Sequence, residues 1–178
     1  MFEKEKERIT ELNAARSEVE KKLVELQTRV ETVKDPEKKA IAETALREQE
    51  TWWEYYQNSI EDSEESLQYL SEAQQIWQRR YILLKGEMKT EDLYKIRDET
   101  KARIDAMQKN LFSLQEGLTT VHGRLTRAQK DLEDTEVQKE ILDHRKGIVE
   151  ALEKLVADNL RFSSLVSQVL NLNTRLLS

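Results

Sequence analysis

Residues 42–84 read AETALREQETWWEYYQNSIEDSEESLQYLSEAQQIWQRRYILL, without a Gly or a Pro. Every third and fourth residue forms one stripe: Ala42, Leu46, Gln49, Trp53, Tyr56, Ile60, Ser63, Leu67, Leu70, Gln74, Trp77, Tyr81 and Leu84. This alternating spacing keeps one seam on one side of a helix and favours left-handed supercoiling against a partner. At 1.5 Å rise per residue, a helix of about fifty residues is roughly 75 Å long. It cannot sit inside a compact globule, so the rest of the chain must supply other long helices.

Composition points the same way. The 178 residues are 36% charged, 38% hydrophobic and 6% aromatic, with four Gly and one Pro. Such usage favours helix nearly throughout. Disordered chains are also rich in charge, but they lack sustained apolar periodicity. A net charge of −6 argues against general nucleic-acid binding, which needs phosphate neutralisation. Without Cys, disulfide and thiolate chemistry are excluded. No run approaches the roughly 20 apolar residues of a membrane span, and no secretory signal opens the chain.

Four helices are expected, at about 2–34, 36–85, 91–135 and 142–177. The first carries the seam Phe2, Ile9, Leu12, Val19, Leu23, Leu26, Val30 and Val33, with Arg16 at one a-type position. Asp35-Pro36-Glu37 is a cap, a first-turn Pro and an acid at the positive helix end, so the chain turns back there. Gly86 suits a left-handed residue after helix 2, and Thr90-Glu91-Asp92 suits the start of helix 3. The third helix carries Leu93, Thr100, Ile104, Met107, Leu111, Leu114, Leu118, Val121, Leu125, Ala128, Leu132 and Thr135. A frame displaced by one residue then runs through Ile141, Ile148, Leu152, Leu155, Phe162, Val166, Val169 and Leu176. Two readings fit: a break near 133–144 capped at Asp134-Thr135, or a continuous helix with a stutter. The expected fold is thus all-α, an elongated antiparallel bundle of three to four long helices. It forms a single domain over 1–178, either complete or a piece of a larger membrane protein.

Charge suggests how helices 2 and 3 pair. Between Glu48 and Gln78 there are eight acids and no Lys or Arg, whereas helix 3 is rich in Lys and Arg. A hairpin pivoting at 87–88 places Glu72 near Arg103, and Glu48 and Glu50 near Arg127 and Arg124. It also sets Trp52 and Trp53 opposite His122 and Gly123, and Tyr56 near Gly117 to Thr119, where a mid-helix Gly leaves room for an indole. Exposed ion pairs contribute only ~0.2–1 kcal/mol each, so they select register more than stability.

Little here suggests catalysis. His122 and His144 lie far apart on this hairpin map, and no metal, phosphate-loop or nucleophile motif occurs. The chain reads as non-enzymatic, with no catalytic residue, metal or cofactor. Trp53, Tyr56, Trp77 and Tyr81 are expected in the core. Trp52 and Tyr55 face away from that seam and are candidate partner-binding residues, unless a further helix covers them. Residues 159–178 hold no acid and many aliphatics. Phe162, Val166 and Val169 are its expected inner row, either under helices 1–3 or in contact with a protein partner.

The stretch Ser71-Glu72-Ala73-Gln74-Gln75-Ile76-Trp77-Gln78-Arg79-Arg80-Tyr81, with its following loop and long helix, resembles the extracytoplasmic helical region of large MscS-type mechanosensitive channels. Trp-x-Arg-Arg-Tyr carries the resemblance. It implies a periplasmic module tethered to the inner membrane through segments outside this chain. Such a module modulates gating or contacts envelope proteins, itself included, and conducts nothing. A different class stays open beside it: a cytoplasmic coiled-coil scaffold or spectrin-like spacer that binds proteins through its faces.

Overall fold

The computed structural model describes residues 2–86, 89–134 and 137–177. The expected pivot at 87–88 and the expected cap at Thr135 lie outside them. Four helices follow one another: α1 (Phe2–Thr32), α2 (Pro36–Leu84), α3 (Thr90–Leu132) and α4 (Lys139–Leu177). The fold is all-α.

The helix ends follow local chemistry. Asp35 caps α2, its Oδ1 accepting from the amides of Glu37 at 3.0 Å and Lys38 at 3.4 Å. Pro36, which lacks an amide hydrogen, begins the helix where none is needed. Gly86 has φ +69°, the left-handed conformation that ends helices and that side chains disfavour. Lys89, and not Thr90, is the cap residue of α3, and its side chain bonds no helix amide. The change of frame in the C-terminal half is a true break between Leu132 and Lys139.

The packing order departs from the hairpin reading. In sequence neighbours, α1 lies on α2 and α3 on α4, but the central pair is α2 with α4. Among the described residues no Cα of α2 comes within 8 Å of one in α3, nor does α1 approach α3 or α4 so closely. In cross-section the order is α1–α2–α4–α3. Glu48 meets His144, Ser59 meets Asp158 and Glu72 meets Asn173, so α2 and α4 run parallel. The fourth helix has taken the groove expected to belong to α2 and α3 alone.

The reason lies in apolar content. Phe162 (3% exposed), Val166 (0%) and Val169 (1%) form the inner row of α4. They pack with Tyr69 and Ile76 of α2 and Met107 of α3. Further down, Leu152, Leu155 and Val156 pack with Val121 of α3. Each side chain fully removed from water contributes roughly 1.5–3 kcal/mol, far more than the exposed ion pairs between α2 and α3. Small residues on α2, Ser59, Ser63 and Ser66, are buried along the same helix.

Ion pairing between α2 and α3 survives at long reach. Arg103 meets Glu72 at 2.7 Å, the expected partners. Glu48 and Glu50 do not pair with Arg127 and Arg124: Arg124 grips Glu54, and Glu48 binds His144. Trp53 does not reach α3. Its Nε1 donates to Glu20 Oε1 of α1 at 3.1 Å. Gly117 and Gly123 face open space and hold no indole; only the tip of Arg127 comes within 4.0 Å of a Cβ built at Gly123.

Candidate functional site

The heptad stripe of α2 is the face that α1 covers. Arg16 donates to Gln57 and Trp53 to Glu20, a register that sets Phe2 level with about Ser71. Beyond that point α1 offers no cover. On the other side, the offset between Glu72 and Asn173 sets Leu177, the last described residue of α4, level with about Ile76. The last turns of α2 and the first turns of α3 therefore stand free of both covering helices.

Stripe residues beyond this limit are exposed. Trp77 is 55% exposed, Tyr81 60% and Leu84 80%, which corrects the expectation that Trp77 and Tyr81 are core. Trp53 is 36% exposed, while Tyr56 is half-buried. On α3, Leu93 and Tyr94 are exposed at the same end. Cations lie over the rings: Arg80 over Trp77 at 5.7 Å, Lys85 over Tyr81 at 4.6 Å and Arg97 over Tyr94 at 5.1 Å. Arg79 reaches Glu99 at 3.8 Å and ties the two helices together. This end is an aromatic tip with cations over its rings and acids beside them. Helix lengths carry one signal for it, because a helix of about 33 residues cannot cover one of about 50; that α4 also stops short of Trp77 follows only from the packing.

The residues singled out for partner contact lie elsewhere. Phe162, Val166 and Val169 are inside this chain and present no surface to a partner. Tyr55 packs on the cluster of Val121, Leu152, Leu155 and Val156, covered by α4. Burial, with Asp158 nearby, raises its phenol above the usual value. Trp52 is half-buried, with Lys154 Nζ 4.6 Å over its ring and Tyr56 stacked at 5.8 Å.

One polar cluster spans three helices. Asp158 of α4 accepts from Arg8 of α1 and from Ser59 of α2, both at 2.6 Å. Asp62 lies nearby, and among the described residues its buried Oδ2 has no hydrogen-bond partner. Burial first, then the Asp158 charge, pushes the Asp62 carboxyl up to about 7. The Arg8–Asp158 ion pair holds α1 to α4, with Arg161 and Glu5 adding a second bridge at 3.0 Å.

Among the described residues no three His, Asp or Glu converge as metal ligands. Among the described residues no helix is long and apolar enough to cross a membrane. Compared with known proteins, the chain matches no family model and no curated sequence.

Proposed function

We propose that the chain is a non-enzymatic helical module of an MscS-like channel's extracytoplasmic region. It acts by contact at the α2–α3 tip, modulating gating or engaging envelope proteins. The observation that carries this reading is the exposure of Trp77 and Tyr81. They belong to the stretch that resembles the channels, and their surroundings hold no core that would require them. Exposed aromatic rings beside arginines are the composition of protein contact sites. Location in the periplasm, and a tether supplied by sequence outside this chain, belong to the same proposal.

A photo-crosslinking phenylalanine analogue at Tyr81, in cells that make the protein from its own gene, tests the proposal. The expected product is an adduct with an envelope protein, lost on Trp77→Ala. Adducts with cytoplasmic proteins alone support the scaffold reading, and the absence of any adduct removes the tip as a contact site.

A further inference from the structure

Four arginines line one cavity of about 360 Å³ where α2, α3 and α4 meet, at the opposite end of the bundle from Trp77. They are Arg47 of α2, Arg124 and Arg127 of α3, and Arg145 of α4. The only acid in the lining is Asp131, and the protein as a whole carries −6. Such a concentration of positive charge in an acidic protein calls for an explanation.

Two of the four are engaged. Arg124 is held by Glu54, and Arg145 Nη1 donates to the Asp131 carbonyl at 2.5 Å. The other two are not. Among the described residues neither Arg47 nor Arg127 forms an ion pair; Arg127 Nε donates only to the Gly123 carbonyl at 3.2 Å. Like charges brought together repel, and a bound anion removes that cost. The floor is different in kind: Ile148 and Leu152 of α4. A cationic rim over an apolar floor is the usual make-up of a small-molecule site, and the volume lies within the usual range of roughly 300–1,000 Å³.

We infer that this cavity binds a phosphate monoester carrying a compact apolar substituent. The guanidinium fork matches phosphate oxygens in pairs, and a phosphate monoester carries up to two charges for Arg47 and Arg127 to share. The substituent rests on Ile148 and Leu152. Because the lining comes from three helices, an occupant joins α2, α3 and α4 and stabilises the folded chain by mass action.

The test uses the full chain and two probes of this chemistry. The soluble probe is 1-naphthyl phosphate, followed by calorimetry and thermal unfolding, with inorganic phosphate as the reference. The lipid probe is phosphatidylcholine vesicles with one-third phosphatidic acid, followed by co-sedimentation. Naphthyl phosphate is expected to bind at least tenfold more tightly than inorganic phosphate and to raise Tm. Arg47→Gln and Arg127→Gln, each exposed and each checked for an unchanged fold by circular dichroism, should weaken it at least tenfold. Arg79→Gln at the tip should leave it unchanged. Vesicle binding that needs Arg47 and Arg127, without soluble binding, assigns the phosphate to a lipid headgroup. Equal affinity for the two soluble phosphates overturns the inference, as does binding indifferent to both variants, or no binding to either probe.

Discussion

Arg124 and Glu54 close a two-point ion pair, Nη1 to Oε1 at 2.5 Å and Nη2 to Oε2 at 2.6 Å. Their helices, α3 and α2, have no Cα atoms within 8 Å of each other among the described residues. Two long side chains thus span a gap whose floor is filled by α4. Both remain partly exposed, at 36% and 37%. Water and salt therefore screen the pair. A double-mutant cycle with Arg124→Gln and Glu54→Gln, read from urea unfolding, should give a coupling of about 0.3–1 kcal/mol. The coupling should shrink in high salt. A value above about 2 kcal/mol would show that the pair, and not α4, sets how α2 and α3 are placed.

Asp62 makes stability depend on pH. Its carboxyl is held up to about 7 in the fold, against an ordinary value of 3.8. Between those values the folded chain binds more protons than the unfolded chain. The contribution is therefore fully present below about 4 and is lost as pH rises through about 7. The charges facing it are Asp158, Glu65 and Glu61, which raise it, and Arg8, which lowers it. Asp62→Asn should flatten the dependence. At pH 8 it should stabilise the chain by about 1–3 kcal/mol, after discounting for partial exposure. Urea midpoints between pH 4 and pH 8 measure this; a parallel slope in both proteins sinks the assignment to Asp62.

Glycines at two helical positions should respond with opposite sign. A Cβ at Gly117 meets nothing within 4 Å. Gly117→Ala should therefore stabilise α3 by about 0.5–1 kcal/mol. At Gly147 a Cβ overlaps the Glu48 carboxylate, which His144 Nδ1 holds at 2.6 Å. Displacing it forfeits a charged hydrogen bond of about 1.5–3 kcal/mol, more than helix propensity returns. Gly147→Ala should lower Tm, and a rise would mean that Glu48 moves aside freely.

The upper half of α4 is core for α2 and α3. Phe162→Ala should destabilise by about 3–5 kcal/mol, the cost of a large buried side chain and the cavity it leaves. Ending the chain at Asp158 removes Phe162, Val166 and Val169 and exposes Tyr69 and Met107. Loss of cooperative thermal unfolding by circular dichroism is the expected result. A change of oligomeric state with stability intact would mean that this row is not the core of the single chain.

Trp53 shows what heptad spacing leaves open. Heptad spacing reports that a face is apolar, not which helix covers it. The stripe through Trp53 looked like the seam for α3, but Trp53 bonds Glu20 of α1. Gly123 invited an indole because an unexplained Gly in mid-helix suggests a close neighbour; the space beside it is open. The pairing of Glu72 with Arg103 was legible because an acidic helix and a basic one attract through long side chains across α4, but the partners of Glu48 and Arg124 were not.

The helical course of the chain, both ends of α2 and the spacing of the inner row of α4 were set by local chemistry and were legible in sequence alone; the break before α4, the cap of α3 and what covers the α4 row were not. Asp35, Pro36 and Gly86 act within one turn of where they stand. The frame through Phe162, Val166 and Val169 needs only its own periodicity. Which helices meet was decided by the tertiary structure, because burial rewards any apolar face equally and only mutual fit chooses among partners. That choice placed α4 between α2 and α3, left Trp77 and Tyr81 beyond its end, and gathered Arg47, Arg127 and Arg145 around one cavity. These three arginines are widely separated in the chain, so no local pattern joins them; three long helices packed side by side bring them together.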